Sequence, residues 1–497
     1  MQQITRELQT WQNKIEAEAR AAGLDPFETR FEMVDWDEMN EVASFGGFPT
    51  RYPHWRFGME FESLQKGYTF GLQKIYELVI NNDPCYAYLL KSNSLLEQKM
   101  VVAHVMGHSD FFRHNLWFSH TNRRMIDEMA NHGTRIRRYV ERHGETVVEE
   151  FMDACLSLEN LVDVHSVYSP QKRRPRFDVM EVEEPAETPK KLKSKGYMDR
   201  FVNPPEFLEA QRKKIDQAVK KKKQFPEHKE KDVLLFLLEY APLEPWQRDV
   251  LSIVREEGYY FAPQGMTKIM NEGWASYWHS KLMTEKICND SEIVDFADNH
   301  SATMGMRPGQ LNPYKIGMEL FRDIEERWNR GRFGRDWESC TDLAERRRWN
   351  TNVGKGRQKI FEVRRIYNDV TFIDEYLTEE FAVAQKLFVY RFNAQTNRQE
   401  IADRDFKKVK QELLFHLTNL GSPIIHVVDG NYQNRGELLL SHTHDQLDIE
   451  LAEARDVLRN IHRVWQRPVH IETHLEGEKK LMSFDGEKHH ERTVAPA

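Results

Sequence analysis

The sequence predicts an α+β fold in which a large, predominantly α-helical N-terminal domain precedes a small C-terminal α+β domain. Two observations support this prediction. Over most of the chain, apolar residues recur at the three-to-four-residue spacing of amphipathic helices. Toward the C-terminus, short apolar runs such as PIIHVVDG and GELLLSH are separated by turn-forming residues, a pattern that is typical of strands.

Length and composition fit a folded protein of several units. A chain of 497 residues allows two to four domains at about 150 residues each. Hydrophobic residues make up 40% of the chain and charged residues 30%, which is the balance of a protein with a packed core. The net charge of -8 argues against a general affinity for nucleic acid or for an anionic membrane.

Cysteine usage and the N-terminal sequence predict a cytoplasmic location. The four cysteines lie far apart with no CxxC pair, so the sequence indicates neither a disulfide framework nor a thiolate zinc site. The N-terminus alternates charged and apolar residues, without the uninterrupted apolar stretch of a signal peptide. No segment approaches the roughly 20 apolar residues that a bilayer crossing requires.

The predicted N-terminal domain, residues 1–365, begins with a helix over residues 4–22, which ends at a Gly and Pro stretch. Further amphipathic or apolar stretches predict helices over residues 95–116, 125–139 and 145–161. A Trp-rich helical region continues beyond residue 330.

A charged insertion interrupts this domain at about residues 169–231. Its first part is rich in Pro and charge, and its second part contains a lysine run near residues 219–223. Blocks of like charge are usually solvated, so we interpret the insertion as a surface segment with one exposed helix. Because no aromatic residue is interleaved with the lysines, the pattern argues against a nucleic-acid site.

The predicted C-terminal domain covers residues 366–485. Helical patterns near residues 372–392 and 402–420 precede two short apolar runs that we expect to pair as a hairpin, since turn formers separate them. A helix near residues 447–464 and the strand-like PVHIET follow. Residues 486–497 are predicted to form a flexible tail.

The sharpest local motif is AHVMGHSDFF, which contains His104 and His108. Residues four apart lie on one face of a helix, so both imidazoles can reach one metal ion. The alternative is a pair of core histidines bonded to backbone carbonyls. The related HExxH motif has a glutamate general base after its first histidine. That position is Val105 here, so the usual base is absent.

A second motif, MNEGWASYWHS, offers Glu272 and His279 two helical turns apart on one face. NEGWASYW resembles the NEGFA segment that supplies a carboxylate ligand in gluzincin metallopeptidases, although about 160 residues separate it from the histidine pair here. The alternative is that the aromatic residues are core and that Glu272 pairs with a buried arginine. Taken together, the two motifs predict a divalent-metal site, with zinc favoured, held by His104, His108, Glu272 and His279.

The catalytic candidates lie just before Glu272, where REEGYYFAPQGMTK offers Glu256, Glu257 and Tyr260 as a general base or a supporting group. A solvent-facing helix end is the alternative. Further residues that could orient the ligands are Glu60, Glu62, Asp298 and His300. No GxGxxG, P-loop or nucleophile-elbow motif occurs in a usable context, so the sequence argues against a nucleotide cofactor and against serine-hydrolase chemistry.

Several long segments resemble the SpoVR family, stage V sporulation protein R, over nearly the whole chain. They are HWRFGMEFE, VVAHVMGHSDFFRHN, ANHGTRIRRYVERHGETVVEEFMDACLSLENLVD, YYFAPQGMTKIMNEGWASYWHSK, LNPYKIGMELFRDIEERW and GNYQNRGELLLSH. The resemblance implies a large N-terminal SpoVR domain and a smaller C-terminal one. It also implies a link to sporulation through spore cortex formation, or to envelope or stress physiology. A PrkA-type serine kinase and a protein with a von Willebrand-like domain are the partners that it implies. It supplies no catalytic residues.

Two functions from different classes therefore remain open. The first is a metal-dependent amide or peptide hydrolase. The second is a scaffold or regulatory partner of a serine kinase or cell-wall assembly system, in which the histidines are structural.

Overall fold

The structure is a computed structural model that describes residues 2–69, 77–168, 198, 202–213, 225–445, 448–475 and 477–494. It divides into two compact units that are each built from two separate stretches of chain. Unit 1 contains Met1–Glu145 and Tyr259–Gly421, and unit 2 contains Thr146–Gly258 and Ser422–Ala497. Helices predominate and the sheets are small, which confirms the α+β prediction with a helical N-terminal region.

Unit 1 consists mainly of helices, which pack around a large apolar core and a smaller one. Its helices are Arg6–Ala21, Trp36–Ser44, Trp55–Thr69, Leu95–His114, Met125–His143, Lys268–Leu282, Ile293–Thr303, Pro313–Asn329, Gly334–Ser339, Leu343–Arg348, Gly356–Ile366, Asp369–Tyr376, Glu379–Ala384 and Phe406–Leu417. Short 3-10 turns at Leu116–Phe118 and Thr418–Gly421 and a π-helical turn at Met283–Ile287 extend three of them.

A four-stranded sheet lies at the N-terminal side of unit 1. Its strands follow the order Gln2–Gln3, Thr29–Val34, Cys85–Leu90 and Glu77–Ile80. The two central strands run parallel, and each edge strand is antiparallel to its neighbour. The edge strand Glu77–Ile80 begins at Glu77, which pairs with Leu89. A separate hairpin pairs Val389–Asn393 with Arg398–Asp403.

Unit 2 contains a five-stranded mixed sheet with helices. The strand order is His489–Thr493, Glu478–Phe484, Val469–Leu475, Glu437–Thr443 and Ile424–Tyr432. Neighbours are antiparallel except for the parallel pair Glu437–Thr443 and Val469–Leu475, which the helix Leu451–Trp465 connects. The remaining elements are the helix Val233–Tyr240 and the turn Ser166–Tyr168. The helices Glu145–Leu156 and Pro245–Met266 contain the points at which the chain passes from one unit to the other.

The domain boundaries differ from those that the sequence predicts. Residues 366–421, predicted to belong to the C-terminal domain, lie in unit 1, because apolar side chains such as Phe372, Tyr376 and Val409 are part of its core. Unit 2 takes in residues 146–258, a connection that no local pattern indicated. The predicted hairpin is confirmed as Ile424–Tyr432 and Glu437–Thr443.

The predicted C-terminal tail and the predicted charged insertion can also be compared with the structure. The flexible tail predicted at residues 486–497 is corrected, since His489–Thr493 forms an edge strand against Glu478–Phe484. Most of the charged insertion, including the lysine run near residues 219–223, lies outside the described residues; within it, residues 205–213 are helical. Among the described helices, none combines the length and apolar character that crossing a membrane requires.

Candidate metal centre

Two buried helices of unit 1 position the predicted ligands. The histidine helix, Leu95–His114, begins at a capping box in which Ser94 and Glu97 each bond the other's backbone N–H. It is buried on all sides from Gln98 to Phe112, as expected for a helix at the centre of a large core. The glutamate helix, Lys268–Leu282, is buried over most of its length as well. Both histidines therefore lie away from bulk water.

The N-terminus of the glutamate helix is capped by a side chain that is distant in sequence. The carboxylate of Asp369 accepts hydrogen bonds from the backbone N–H groups of Ile269 (2.8 Å) and Met270 (2.9 Å). Thr267, the residue at the N-cap position, makes no such bond with its own side chain. A carboxylate at a helix N-terminus also interacts favourably with the helix dipole. Asp369 thus fixes the turn that contains Glu272.

Glycines allow three helices to approach closely around the site. On the histidine helix, a Cβ added at Gly107 would lie 2.6 Å from the Cα of Ala275. On the glutamate helix, a Cβ added at Gly273 would lie 2.4 Å from Gly317 of a third helix, Pro313–Asn329, here called the tyrosine helix. Real Cβ atoms do not occupy such positions, so these crossings require glycine. The close approach of these backbones brings side chains from the three helices within reach of one another.

The structure brings together three of the four predicted ligands. The Nε2 atoms of His104 and His108 lie 3.5 Å and 3.4 Å from Oε2 of Glu272. One ligand atom from each of these residues falls within 4.8 Å of the others, a spacing that one ion can bridge. Among the described residues, Glu272 Oε2 is buried and accepts no hydrogen bond of normal geometry. A buried carboxylate oxygen without a hydrogen bond, facing two imidazole nitrogens, is a donor set that fits a divalent metal ion.

Both histidines are held by their other ring nitrogen. Nδ1 of His108 bonds Oδ1 of Asn271 at 2.8 Å, which makes Nδ1 the protonated nitrogen and leaves the Nε2 lone pair facing Glu272. Nδ1 of His104 bonds Nδ1 of His279 at 2.9 Å. Hydrogen bonds of this kind orient imidazoles toward a metal and fix their tautomers.

His279 has a different position from the one that the sequence predicted. Its Nδ1 bonds His104, and its Nε2 bonds Nδ1 of His300 at 3.0 Å, so both ring nitrogens are engaged. His279 is therefore not among the three residues whose ligand atoms converge, and its contacts are those of a residue that orients His104. His300, considered as an orienting residue, continues this chain of three imidazoles.

Two further residues at the site were missed by the sequence analysis. Glu77, the first residue of its edge strand, places Oε1 4.0 Å from Nε2 of His104. Tyr314, in the first turn of the tyrosine helix, stacks on His104 with ring centroids 6.1 Å apart. The one available signal for Glu77 was a single carboxylate inside the apolar run YELVI. The one available signal for Tyr314 was its position directly after Asn312 and Pro313, which predict the start of a helix.

Burial and charge set the protonation states of the imidazoles. Burial, with the nearby charge of His108, lowers the pKa of His104 to about 4. Burial alone would lower the pKa of His108 too, but the charge of Glu272 and the hydrogen bonds of its ring raise it. Burial and the neighbouring histidines lower the pKa of His279 well below its ordinary value. His104 and His279 are therefore neutral at pH 7. His108 holds a proton more readily, because the Glu272 carboxylate lies beside it.

The acidic groups respond to the same surroundings. Burial would raise the pKa of Glu272, but His108 and His104 lower it well below its ordinary value, so it is a carboxylate. Burial raises the pKa of Glu77 to about 7; the charge of His108 opposes this shift and that of Glu272 adds to it. Burial and the two carboxylates raise the pKa of Tyr314, which keeps its phenol protonated as a hydrogen-bond donor.

A cavity of about 240 Å³ lies beside His104. The residues that line it include Glu77, His300, Asn299, Thr303 and Tyr314. A small group in this cavity would contact Glu77 and Tyr314, and it would lie beside His104 of the candidate metal centre. The cavity therefore provides room for a small group beside the candidate metal centre.

The other sequence-predicted candidates are not among the three residues whose ligand atoms converge. Glu256 and Glu257 belong to unit 2, whereas the centre belongs to unit 1. Tyr260 is a core residue of unit 1, since its hydroxyl donates to the carbonyl of Asn81 at 3.0 Å and its ring packs on Phe48. The other orienting candidates lie on exposed helix faces; they are Glu60, Glu62 and Asp298.

Comparison with known proteins gives a consistent result over the whole chain. The family model described as SpoVR like protein matches residues 2–422, and the model described as SpoVR-like C-terminal domain matches residues 423–476. The boundary between them follows the last residue of unit 1 by one position. A relative in Escherichia coli (strain K12), described as uncharacterized protein YcgB, is 27% identical over 92% of this chain and 90% of its own length. No solved structure matches the chain. The chain belongs to the SpoVR family.

Proposed function

We propose that the chain is a divalent-metal-dependent hydrolase of amide or peptide bonds, with zinc as the favoured ion. The observation that carries the proposal is the convergence of His104 Nε2, His108 Nε2 and the hydrogen-bond-free Oε2 of Glu272 within one ion's reach. Two imidazoles and one glutamate form a ligand set that catalytic zinc sites use, with a further position left for water or substrate.

The surroundings support zinc over a harder ion. Both imidazoles are anchored through Nδ1, by Asn271 and His279, so that they present Nε2 without further rearrangement. Imidazole nitrogen is a ligand that zinc accepts readily and that calcium and magnesium avoid. An ion bound here would polarise the substrate carbonyl and lower the pKa of a bound water.

Glu77 and Tyr314 supply the groups that the histidine motif lacks. Glu77 places Oε1 4.0 Å from Nε2 of His104, so its carboxylate is positioned to act as a general base beside the centre. In the proposed reaction its carboxylate takes a proton from water as the water oxygen bonds to the carbonyl carbon. The protonated phenol of Tyr314 donates a hydrogen bond to the resulting oxyanion. The C–N bond then breaks, and Glu77 returns the proton to the leaving amine.

The family relationship supports the cellular part of the proposal. We propose that the protein acts in the cytoplasm, in spore cortex formation or in envelope or stress physiology. A PrkA-type serine kinase and a protein with a von Willebrand-like domain are the proposed partners. Reciprocal co-purification of the tagged proteins from cells tests this part separately from the chemistry.

Metal content tests the centre itself. We expect about one equivalent of zinc in tag-free protein by elemental analysis, and little in the His104→Ala, His108→Ala double variant. His114→Ala is the matched control, because His114 lies on the same helix but faces Asp25. Equal and negligible zinc in wild type and double variant, even after incubation with zinc and desalting, would contradict the proposal.

Turnover separates a hydrolase from a scaffold. Wild-type protein loaded with zinc is assayed on fluorogenic peptides and on peptidoglycan stem peptides. We expect Glu77→Gln to retain its zinc and to lose at least a hundredfold in rate, because a general base contributes about that much. If no substrate is cleaved and His108→Ala still captures the kinase and supports growth, the scaffold function is the correct one.

A further inference from the structure

Unit 1 contains a second and larger cavity, which the proposed hydrolase does not use. Its volume is about 650 Å³, within the range of pockets that hold a ligand of ordinary cofactor or metabolite size. The walls come from the loop at residues 306–311, the start of the tyrosine helix, residues 384–391 and the helix Phe406–Leu417.

The inner wall of this cavity is apolar. Leu387, Val389 and Val409 line it and are buried in the core of unit 1. Leu413 and Leu417, one turn apart on their helix, extend the apolar surface and pack against the same core. Such a wall gains free energy by covering an alkyl or aryl body, at roughly 25 cal/mol per Å² of apolar surface removed from water.

The rim of the cavity carries an excess of positive charge. Within the described part of the chain, the side chains of Arg307, Lys315 and Lys386 line the cavity and form neither an ion pair nor a hydrogen bond. The one carboxylate among the lining residues, Glu412, is bound by Arg391 at 2.6 Å. Three cations without an ion-pair partner among the described residues therefore line a cavity whose inner wall is apolar.

We propose that this cavity binds a free amphipathic anion, with a single carboxylate or phosphate head at the rim and an apolar body inside. A neutral apolar ligand would leave the three cations unused, and a cationic one would be repelled by them. A purely ionic ligand would leave the apolar wall in contact with water. The inference is independent of the metal centre, since none of its residues is a proposed ligand.

Fluorescence of cis-parinarate, an anionic probe with an apolar chain, tests the proposal on the full-length protein. We expect saturable binding that laurate displaces, whereas 1-dodecanol and dodecyltrimethylammonium displace it at least tenfold less well. The double variant Lys315→Gln, Lys386→Gln should bind cis-parinarate at least tenfold more weakly, because each lost head-group contact involves a charge-assisted hydrogen bond. Lys286→Gln, an exposed lysine outside the cavity, should bind as the wild type does.

Three results would overturn the proposal. The first is the absence of saturable binding up to the solubility limit of the probe. The second is equal displacement by 1-dodecanol and laurate, or equal affinity in the double variant, which would indicate apolar adsorption alone. The third is binding to phosphatidylglycerol vesicles but not to free laurate, which would assign the rim to a membrane surface. Circular dichroism of each variant verifies that the comparison is made between folded proteins.

Discussion

The crossing between the glutamate helix and the tyrosine helix predicts a large effect for a single methyl group. A Cβ added in Gly273→Ala would lie 2.4 Å from both Cα and C of Gly317. Carbon atoms in contact prefer about 3.5–4.0 Å, so the two backbones must separate by about 1 Å or more. Since the obstructing atoms are backbone, no side-chain rotation can relieve the clash. Overpacking of this kind costs up to about 3 kcal/mol.

The higher helix propensity of alanine offsets part of this overpacking cost. In a helix interior alanine is better than glycine by about 1 kcal/mol, so the net loss for Gly273→Ala is about 2 kcal/mol. At about 2 °C per kcal/mol for a large domain, the melting temperature should fall by about 4 °C. Because Glu272 is the preceding residue, zinc affinity should fall as well.

Gly58→Ala is the matched control for this prediction. Gly58 is also helical, in Trp55–Thr69, but a Cβ there would have no neighbour within 4 Å. The control should be stabilised by up to about 1 kcal/mol, because it gains propensity without a clash. Differential scanning calorimetry measures both changes. A Gly273→Ala protein as stable as wild type would refute the close crossing, and an equal loss in Gly58→Ala would refute its assignment to this contact.

Three other outcomes follow from the same structure. Asn271→Ala removes the acceptor that holds His108 and should weaken zinc binding by about 10–100-fold in a chelator competition; unchanged affinity would contradict the orienting role. Asp110→Ala leaves the buried guanidinium of Arg364 without its carboxylate at 2.9 Å and should cost about 3 kcal/mol or more in urea unfolding, so an unchanged midpoint would be a contradiction. Burial raises the pKa of the Cys85 thiol to about 12, so iodoacetamide should label it only after unfolding, and rapid labelling of the native protein would disagree.

Local spacing was sufficient to predict the candidate histidine pair because both residues lie on one helix. His104 and His108 are one turn apart, and their shared face follows from the helical repeat alone. The same reasoning does not bring His279 into the convergent group. Seven residues at 1.5 Å per residue place it about 10 Å along the axis from Glu272, too far to share an ion with it directly. The structure instead puts it behind His104, where its Nδ1 is a hydrogen-bond partner.

The groups that would perform the chemistry could not be found from local spacing. Glu77 reaches the site because its edge strand pairs with Cys85–Leu90, and Tyr314 because Gly273 and Gly317 let two helices approach. Both depend on contacts between distant parts of the chain. The sequence therefore directed the search for a base to Glu256 and Glu257, which are near Glu272 in sequence but belong to unit 2.

Domain organisation was also beyond the reach of local patterns. Residues 366–421 form helices and a hairpin that would suit either domain, and only burial of side chains such as Phe372 shows that they belong to unit 1. Unit 2 combines residues 146–258 with the C-terminal stretch, so its core is formed by segments that are far apart in sequence. Helix periodicity predicts the elements but does not specify which of them pack together.

The central claim is that His104, His108 and Glu272 hold one ion. X-ray diffraction from crystals of the zinc-loaded protein, with anomalous data on both sides of the zinc absorption edge, tests it most directly. We expect a single strong anomalous peak about 2.0–2.2 Å from both Nε2 atoms and from an oxygen of Glu272. A crystal that shows these three side chains bonded to one another, with zinc elsewhere or absent, would contradict the claim.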